Sequence, residues 1–324
     1  MPKKAPDYLV DPHLSPTVKA FLRPLNTGGP AVESSSEQAA RNVLINIQAS
    51  VKVDLSGIDE SEKTISQDGY TVKLTIVRPI GNKKKLPLFI FTHGGGWVLG
   101  DYPTHKRLVR DLVVASECAA VFVHYTLSPE VHYPIAINEI YAVAKWVSER
   151  GDEINLDGKN MAAVGNSAGG NMTTAMCMMA KDKGGPVFKL QILMWPATDT
   201  SFAEDSYEEY GEQRFLTIPL MKWSWDRYTM DMTQRKEKYA SPLQASPEEL
   251  KDLPPALIQV AENDILRDEG EAYGRKLEQA GVEVLSVRYN GMIHDFGMLN
   301  GLSKTVQVRG LIELAAAELK THLQ

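Results

Sequence analysis

Residues 165–169 read Gly165-Asn166-Ser167-Ala168-Gly169, a serine flanked by the two glycines that a very tight turn needs. A strand candidate at 161–164 runs into the motif and a helical pattern at 171–181 leaves it. That strand–turn–helix setting lifts a serine hydroxyl clear of the backbone, and the helix N-terminus behind it favours negative charge developing there. A second pattern, His93-Gly94-Gly95-Gly96-Trp97, directly follows the apolar run at 86–91. Consecutive glycines let main-chain N–H groups point into a site unobstructed, as the oxyanion of a tetrahedral intermediate requires. The G-x-x-x-x-G-K-[ST] pattern of a phosphate loop is absent. Acyl transfer is the chemistry that the two motifs share.

A serine nucleophile needs a base, and the base needs an acid to orient it. Seven histidines are available: His13, His93, His105, His124, His132, His294 and His322. His13 and His322 lie near the chain ends and His93 belongs to the glycine motif. His105 and His132 are expected in polar loops, and His124 at a strand end. His294 follows the apolar run 282–287 across the short segment 289–293, past the carboxyl end of a late strand. Two acids stand between Ser167 and His294 at the same edge of a sheet: Asp264, after the run 256–260, and Asp199, after the run 190–194. Asp268 and Glu269 are expected to cap the helix that follows them. The chain order serine, acid, histidine is that of α/β hydrolases, and differs from the chymotrypsin and subtilisin orders.

These groups must be held by a rigid frame. Short, nearly continuous apolar runs at 86–91, 119–124, 161–164, 190–194, 256–260 and 282–287 alternate with helical patterns at 137–148, 171–181 and 269–280, the last closed by Gly281. Strands buried on both faces and separated by helices predict an α/β fold with a mostly parallel central sheet. Residues 70–77 alternate and read as one more strand, and Lys83-Lys84-Lys85 as a solvated turn. Two amphipathic helices are expected within 1–50, around Val18–Leu25 and Ala39–Ile47. Residues 201–239 are aromatic and charged, contain no good strand, and read as an insertion between two core strands. The expected organisation is 1–50 as the N-terminal part of a cap, 51–200 as the first part of the core, 201–239 as a cap insertion and 240–324 as the second part of the core.

Composition narrows the function classes. The 324 residues carry 35 Lys+Arg against 41 Asp+Glu, a formal net charge of −6, so there is no basic excess for nucleic acid. Hydrophobic residues at 43 % and charged residues at 23 % exclude disorder as the main state. Cys118 and Cys177 alone build neither a disulfide framework nor a cysteine-based zinc site, and Cys177 is expected as a small core residue. The N-terminal stretch lacks the apolar core of a secretory signal, and no run approaches a membrane span. The expectation is a cytoplasmic protein without stable membrane insertion.

Taken together, the motifs resemble the hormone-sensitive-lipase-like family of α/β hydrolases, in its bacterial esterase branch, over nearly the whole chain. Besides His93–Trp97 and Gly165–Gly169, Tyr125-Thr126-Leu127-Ser128-Pro129-Glu130 resembles the family's Y-R-L-A-P-E. Phe215-Leu216-Thr217 with Trp223 and Trp225 resembles its cap, and Ala240-Ser241-Pro242-Leu243 the return to the core. Asp264-Ile265-Leu266-Arg267-Asp268-Glu269 resembles D-P-L-R-D-E, whose first aspartate is the triad acid; that favours Asp264 over Asp199. His294 falls at the histidine of H-G-F. The resemblance implies an α/β-hydrolase fold with a helical cap, Ser167 as nucleophile, His294 as base and Asp264 as its orienter. It also implies an oxyanion hole from the N–H groups of Gly95, Gly96 and Ala168, with Gly94 shaping the turn. Two positions depart from the family pattern: Asn166 replaces the aspartate of G-D-S-A-G and Asp295 the glycine of H-G-F.

The implied activity is that of a serine carboxylesterase acting on short acyl esters, with no metal or organic cofactor. Amide, lactone or carbamate hydrolysis would use the same residues. A non-catalytic receptor of this fold would have lost the histidine that His294 supplies. The expected partner is a small ester, and the edge strand at 282–287 suggests a homodimer by analogy of fold.

Overall fold

The computed structural model describes residues 4–324. Eight strands form one sheet: β1 (Ile58–Gln67), β2 (Tyr70–Pro79), β3 (Leu86–Thr92), β4 (Ala119–His124), β5 (Leu156–Asn166), β6 (Gln191–Met194), β7 (Ala256–Asn263) and β8 (Val284–Ile293). Their order is β1-β2-β4-β3-β5-β6-β7-β8. β2 pairs antiparallel with β1 and β4, and every other pairing is parallel. The helices are α1 (Pro16–Leu25), α2 (Glu37–Ala49), α3 (Tyr102–Ser116), α4 (Ile135–Arg150), α5 (Ala168–Asp182), α6 (Asp205–Tyr210), α7 (Ile218–Tyr228), α8 (Pro247–Leu250), α9 (Arg267–Gln279) and α10 (Val306–Leu323). Among them none is long and apolar enough to cross a membrane.

The continuous apolar texture of the inner strands follows from burial on both faces. Successive residues point to opposite sides, and the structure separates them accordingly. Leu88 and Ile90 of β3, Val121 of β4 and Ala163 of β5 join one core, with residues of α4, α5 and α9. Phe89, Phe91, Phe122 and Val164 join the other, with residues of α3 and α10. Cys177 is buried in the first core.

Two expectations about local structure need correction. The segment 289–293 is strand, not loop: β8 runs to Ile293 and His294 is the next residue. The added length is absorbed by a register shift between β7 and β8, with Gly291 at φ 80°. His105 is not in a polar loop. It is a fully buried residue of α3, whose first turn is closed by a capping box between Asp101 and Thr104.

Above the carboxyl ends of the strands lie the two polar-to-amphipathic segments. Ser15 caps α1 by accepting from the Val18 N–H, and Ser36 caps α2 by accepting from the Ala39 N–H. α6 and α7 come from the segment between β6 and β7. The segments lie against each other through Phe21 and Phe215, whose ring centroids are 6.2 Å apart, and through an ion pair between Arg227 and Glu37 at 2.8 Å. Most of their apolar side chains are spent on packing: Leu22, Leu216, Trp223 and Trp225 are buried.

The strongest link between the two segments is Arg214, whose Nη2 donates to Asp11 Oδ2 at 2.7 Å and to the Pro6 carbonyl at 2.7 Å. Both side chains are almost fully buried, at 2 % and 1 % exposure. Removing one partner of such a pair leaves the other as an uncompensated buried charge. Asp11→Ala should therefore cost about 3–5 kcal/mol in urea unfolding; a loss below about 1 kcal/mol, the value of an exposed pair, would contradict this role.

Candidate active site

Ser167 stands between β5 and α5 with φ 54° and ψ −124°, a conformation costly for a residue that carries a Cβ. The surrounding contacts enforce it. The Ser167 N–H donates to the Met194 carbonyl at 2.9 Å, and its own carbonyl accepts from the Asn171 N–H at 3.0 Å and the Ala197 N–H at 3.2 Å. Gly169 has to be glycine, because a Cβ there would run into the Thr92 carbonyl oxygen. Asn171 Nδ2 ties the first turn of α5 to the carbonyls of Ala197 and Ala240, at 2.9 and 2.7 Å.

β3 lies directly beside β5, so the loop after β3 arrives at the serine. Gly95 and Gly96 have φ 112° and 59°, and a Cβ on Gly96 would collide with the Ser224 hydroxyl of α7. Among the described residues, no hydrogen bond engages the N–H groups of Gly95, Gly96 or Ala168. All three residues line a cavity of about 560 Å³ together with Ser167 and His294. Unengaged donors on residues that line one cavity beside a serine hydroxyl would suit a developing oxyanion. The Gly94 N–H instead donates to Asn166 Oδ1 at 3.0 Å, which fixes the start of the loop. Arg41 of α2 holds its far end: Nε donates to the Val98 carbonyl at 2.8 Å, while the guanidinium pairs with Glu130 at 2.7 Å.

His294 connects the serine to an acid. Its Nδ1–H donates to Asp264 Oδ2 at 2.7 Å, which leaves Nε2 to accept from the Ser167 hydroxyl at 2.9 Å. The second Asp264 oxygen accepts from the Leu266 N–H at 3.0 Å, so the carboxylate is held from both sides. Burial disfavours the imidazolium, but the charges of Asp264 and Asp295 and the bond to Asp264 outweigh it. His294 thus sits above the ordinary histidine value.

The remaining candidates lie elsewhere. Asp199 accepts from Gln244 Nε2 at 2.7 Å and forms no bond to His294. His93 is stacked on Tyr125, with ring centroids 4.3 Å apart, and burial pushes its pKa down to about 3. Burial likewise brings His105 to about 4. His124 bonds to Thr75 at 2.7 Å, His132 meets the Arg227 carbonyl at 2.7 Å, and His13 and His322 lie beside Glu262 and Glu318.

The expected capping role of Asp268 and Glu269 is not what the structure contains. Glu269 is fully buried and accepts from the N–H groups of Thr198 and Asp199, at 2.6 and 3.2 Å, and from the Tyr207 hydroxyl at 2.7 Å. Burial pushes its carboxyl up to about 8 despite those donors. Asp268 pairs with Arg267 and receives the Ser206 N–H at 2.9 Å. Three further residues that shape the site escaped sequence reasoning: Arg41, Ser224 and Trp195. None of them belongs to a recognisable pattern of spacing.

The two candidate acids can be separated by substitution. Asp264→Asn should reduce ester turnover by about 10⁴-fold, because an amide no longer fixes the tautomer of His294. Asp199→Asn should stay within about tenfold of the parent, since its contact is to Gln244. Comparable losses in kcat/KM for the two variants would reject the assignment.

Comparison with known proteins places this geometry. A family profile for the alpha/beta hydrolase fold matches residues 89–298. The carboxylesterase NlhH of Mycobacterium tuberculosis is 32 % identical over 79 % of this chain and 82 % of its own. An ethyl acetate hydrolase of Pseudomonas putida is 30 % identical over 80 % of this chain and 81 % of its own. Among solved structures, a thermostable esterase from Pseudomonas putida superposes with a TM-score of 0.96 at 55 % identity, covering 97 % of this chain and 99 % of that one. The chain belongs to the α/β-hydrolase fold family, in the hormone-sensitive-lipase-like branch that its motifs resemble.

Proposed function

We propose that this protein is a serine carboxylesterase that hydrolyses short acyl esters through an acyl-enzyme. The observation that carries the reading is the unbroken chain from Ser167 through His294 to Asp264, at 2.9 and 2.7 Å, set beside three unengaged N–H groups in one cavity. The ester carbonyl would sit over Ser167 with its oxygen toward Gly95, Gly96 and Ala168. As the hydroxyl attacks, its proton passes to His294 Nε2 and the oxyanion is met by the three N–H groups. His294 then gives that proton to the departing alcohol. Water, deprotonated by the same nitrogen, cleaves the acyl-enzyme and restores the serine. Asp264 keeps the ring in the productive tautomer and stabilises the imidazolium.

The substrate class follows from the walls of the cavity. Leu25, Val32, Val43 and Ile47 from the N-terminal segment, and Phe215 and Leu220 from the segment before β7, line it with no Lys or Arg. Such a pocket takes an apolar acyl or alcohol group. Each buried methylene contributes about 0.8 kcal/mol, and nothing once the wall is reached. The same esterase relatives support the reading. We assign the protein to the cytoplasm, consistent with its two unpaired buried cysteines, and take a homodimer to form through the outer edge of β8, where Leu285 is exposed.

Ser167→Ala should retain less than about a hundredth of parental turnover while folding normally. Across p-nitrophenyl esters from acetate to palmitate, kcat/KM should peak at roughly C2 to C6 and fall steeply beyond, without interfacial activation. A maximum at about C12 or longer would instead mark an open, lipid-accepting site.

A further inference from the structure

Asn166 and Asp295 meet behind the nucleophile, and neither has a role in the proton path described above. Asn166 Nδ2 donates to Asp295 Oδ1 at 3.0 Å, and the same oxygen accepts from Trp195 Nε1 at 2.7 Å. On its other side Asn166 Oδ1 receives the Gly94 N–H. Both side chains are buried, Asn166 at 0 % and Asp295 at 5 % exposure. The second Asp295 oxygen is 3.8 Å from His294 Nε2, the atom that exchanges the proton with Ser167. The Asp295 backbone has φ 60°, in the left-handed region that Asp tolerates better than most side chains. Its carbonyl accepts from the N–H groups of Met298 and Leu299 at 2.8 and 2.9 Å. A buried carboxylate given two donors on one oxygen and the His294 imidazole near the other is a built feature.

We propose that Asn166 and Asp295 are a matched amide–carboxylate pair that joins the oxyanion loop, the serine turn and the histidine loop, with Asp295 as a positioning residue for His294. The amide is the only kind of group that serves both contacts at position 166, because it must accept from Gly94 and donate to Asp295. A carboxylate in its place would face Asp295 across about 3 Å, so that one of the two must take up a proton or the pair must part, beside the His105 Nε2 that Asn166 Nδ2 also meets at 3.4 Å. Exchanging the two groups would restore one donor and one acceptor between positions 166 and 295, at the cost of the Trp195 bond, because the Asp295 oxygen that accepts from Asn166 also accepts from Trp195 Nε1.

The proposal rests on the esterase reading for its kinetic readout and carries a consequence for pH. A protonated His294 cannot accept the serine proton, so activity falls as pH drops through the pKa of that ring. The carboxylates facing the ring are Asp264 from the loop after β7 and Asp295 from its own loop; Glu269 from α9 also faces it, with a carboxyl that burial pushes up to about 8 and so charges only at higher pH. His93 and His105, which face the Asn166 side, are kept neutral by burial. Removing the Asp295 charge takes away one stabiliser of the imidazolium and should carry activity to lower pH.

The test is a double-mutant cycle in the full chain: Asn166→Asp, Asp295→Asn, and both together. It is read as kcat/KM for p-nitrophenyl butyrate against pH and as Tm. Asn166→Asp alone should lose about 100-fold or more near pH 7 and should lower Tm. Asp295→Asn should lose less than about tenfold and move the acid limb down by about half a pH unit or more. The double variant should recover at least about tenfold over Asn166→Asp and regain part of the lost Tm, the remainder reflecting the forfeited Trp195 bond. A double variant no better than Asn166→Asp in either readout, or an acid limb unmoved in Asp295→Asn, would overturn the pairing. Should the parent chain hydrolyse no ester, the esterase reading fails by itself, and the Tm cycle still decides whether the two side chains are coupled.

Discussion

The backbone of Ser167, held at φ 54° and ψ −124°, is the constraint on which the other parts of the site depend. It puts Ser167 between the end of β5 and the start of α5, where Ser167 and Ala168 line the same cavity. That conformation is disfavoured in isolation and is kept by its surroundings: the bond to Met194 on β6, the close approach of Gly169 to Thr92 on β3, and the anchoring of Asn171. Because β5 lies between β3 and β6, one sharp turn is locked by both neighbouring strands. The same adjacency brings the glycine loop after β3 to the serine without a long connection.

From this turn the remaining groups are placed by strand order. Asp264 follows β7 and His294 follows β8, so both arrive from successive strands on one side of the serine, while Gly95 and Gly96 arrive from β3 on the other. A parallel sheet collects the ends of its strands at one edge, and its ligand sites lie there. Burial then strengthens each electrostatic contact by excluding water. It also demands that each buried charge be matched. Asp295 meets that demand with the donors from Asn166 and Trp195, and Asp264 with His294 and the Leu266 N–H, whereas Glu269, given three donors, is still pushed up to about 8 by burial. The N-terminal segment and the segment between β6 and β7 both line the cavity beside Ser167, and a buried ion pair, Arg214 with Asp11, joins them.

How much of this was legible in the sequence depended on whether the signal was local. The serine turn, the glycine loop and the inner strands are each written in consecutive residues, because two-sided burial leaves an unbroken apolar run and a tight turn leaves glycines. β1 went unread because it is an edge strand: only Ile65 is buried along its length, so charged residues occupy both faces. The available clue was Asp68-Gly69, a two-residue turn with φ 52° and 85° that joins β1 to β2 and is a known hairpin signal. His105 was misread because its polar neighbours suggested a loop, whereas they form the capped first turn of α3. Glu269 looked like a helix cap by position, but tertiary donors claimed its carboxylate. Asn166 and Asp295 were visible as two separate departures from a family pattern. Their pairing was not, since they lie 129 positions apart and only the fold makes them neighbours.

The central claim is that Ser167 is a nucleophile activated by His294. It is tested most directly by fluorophosphonate labelling of the purified chain, followed by peptide mass spectrometry. One adduct per chain on Ser167 is expected, with the labelling rate lowered by about 10³-fold or more in His294→Ala. No adduct, an adduct on another residue, or labelling of Ser167 that is indifferent to the loss of His294 would contradict it.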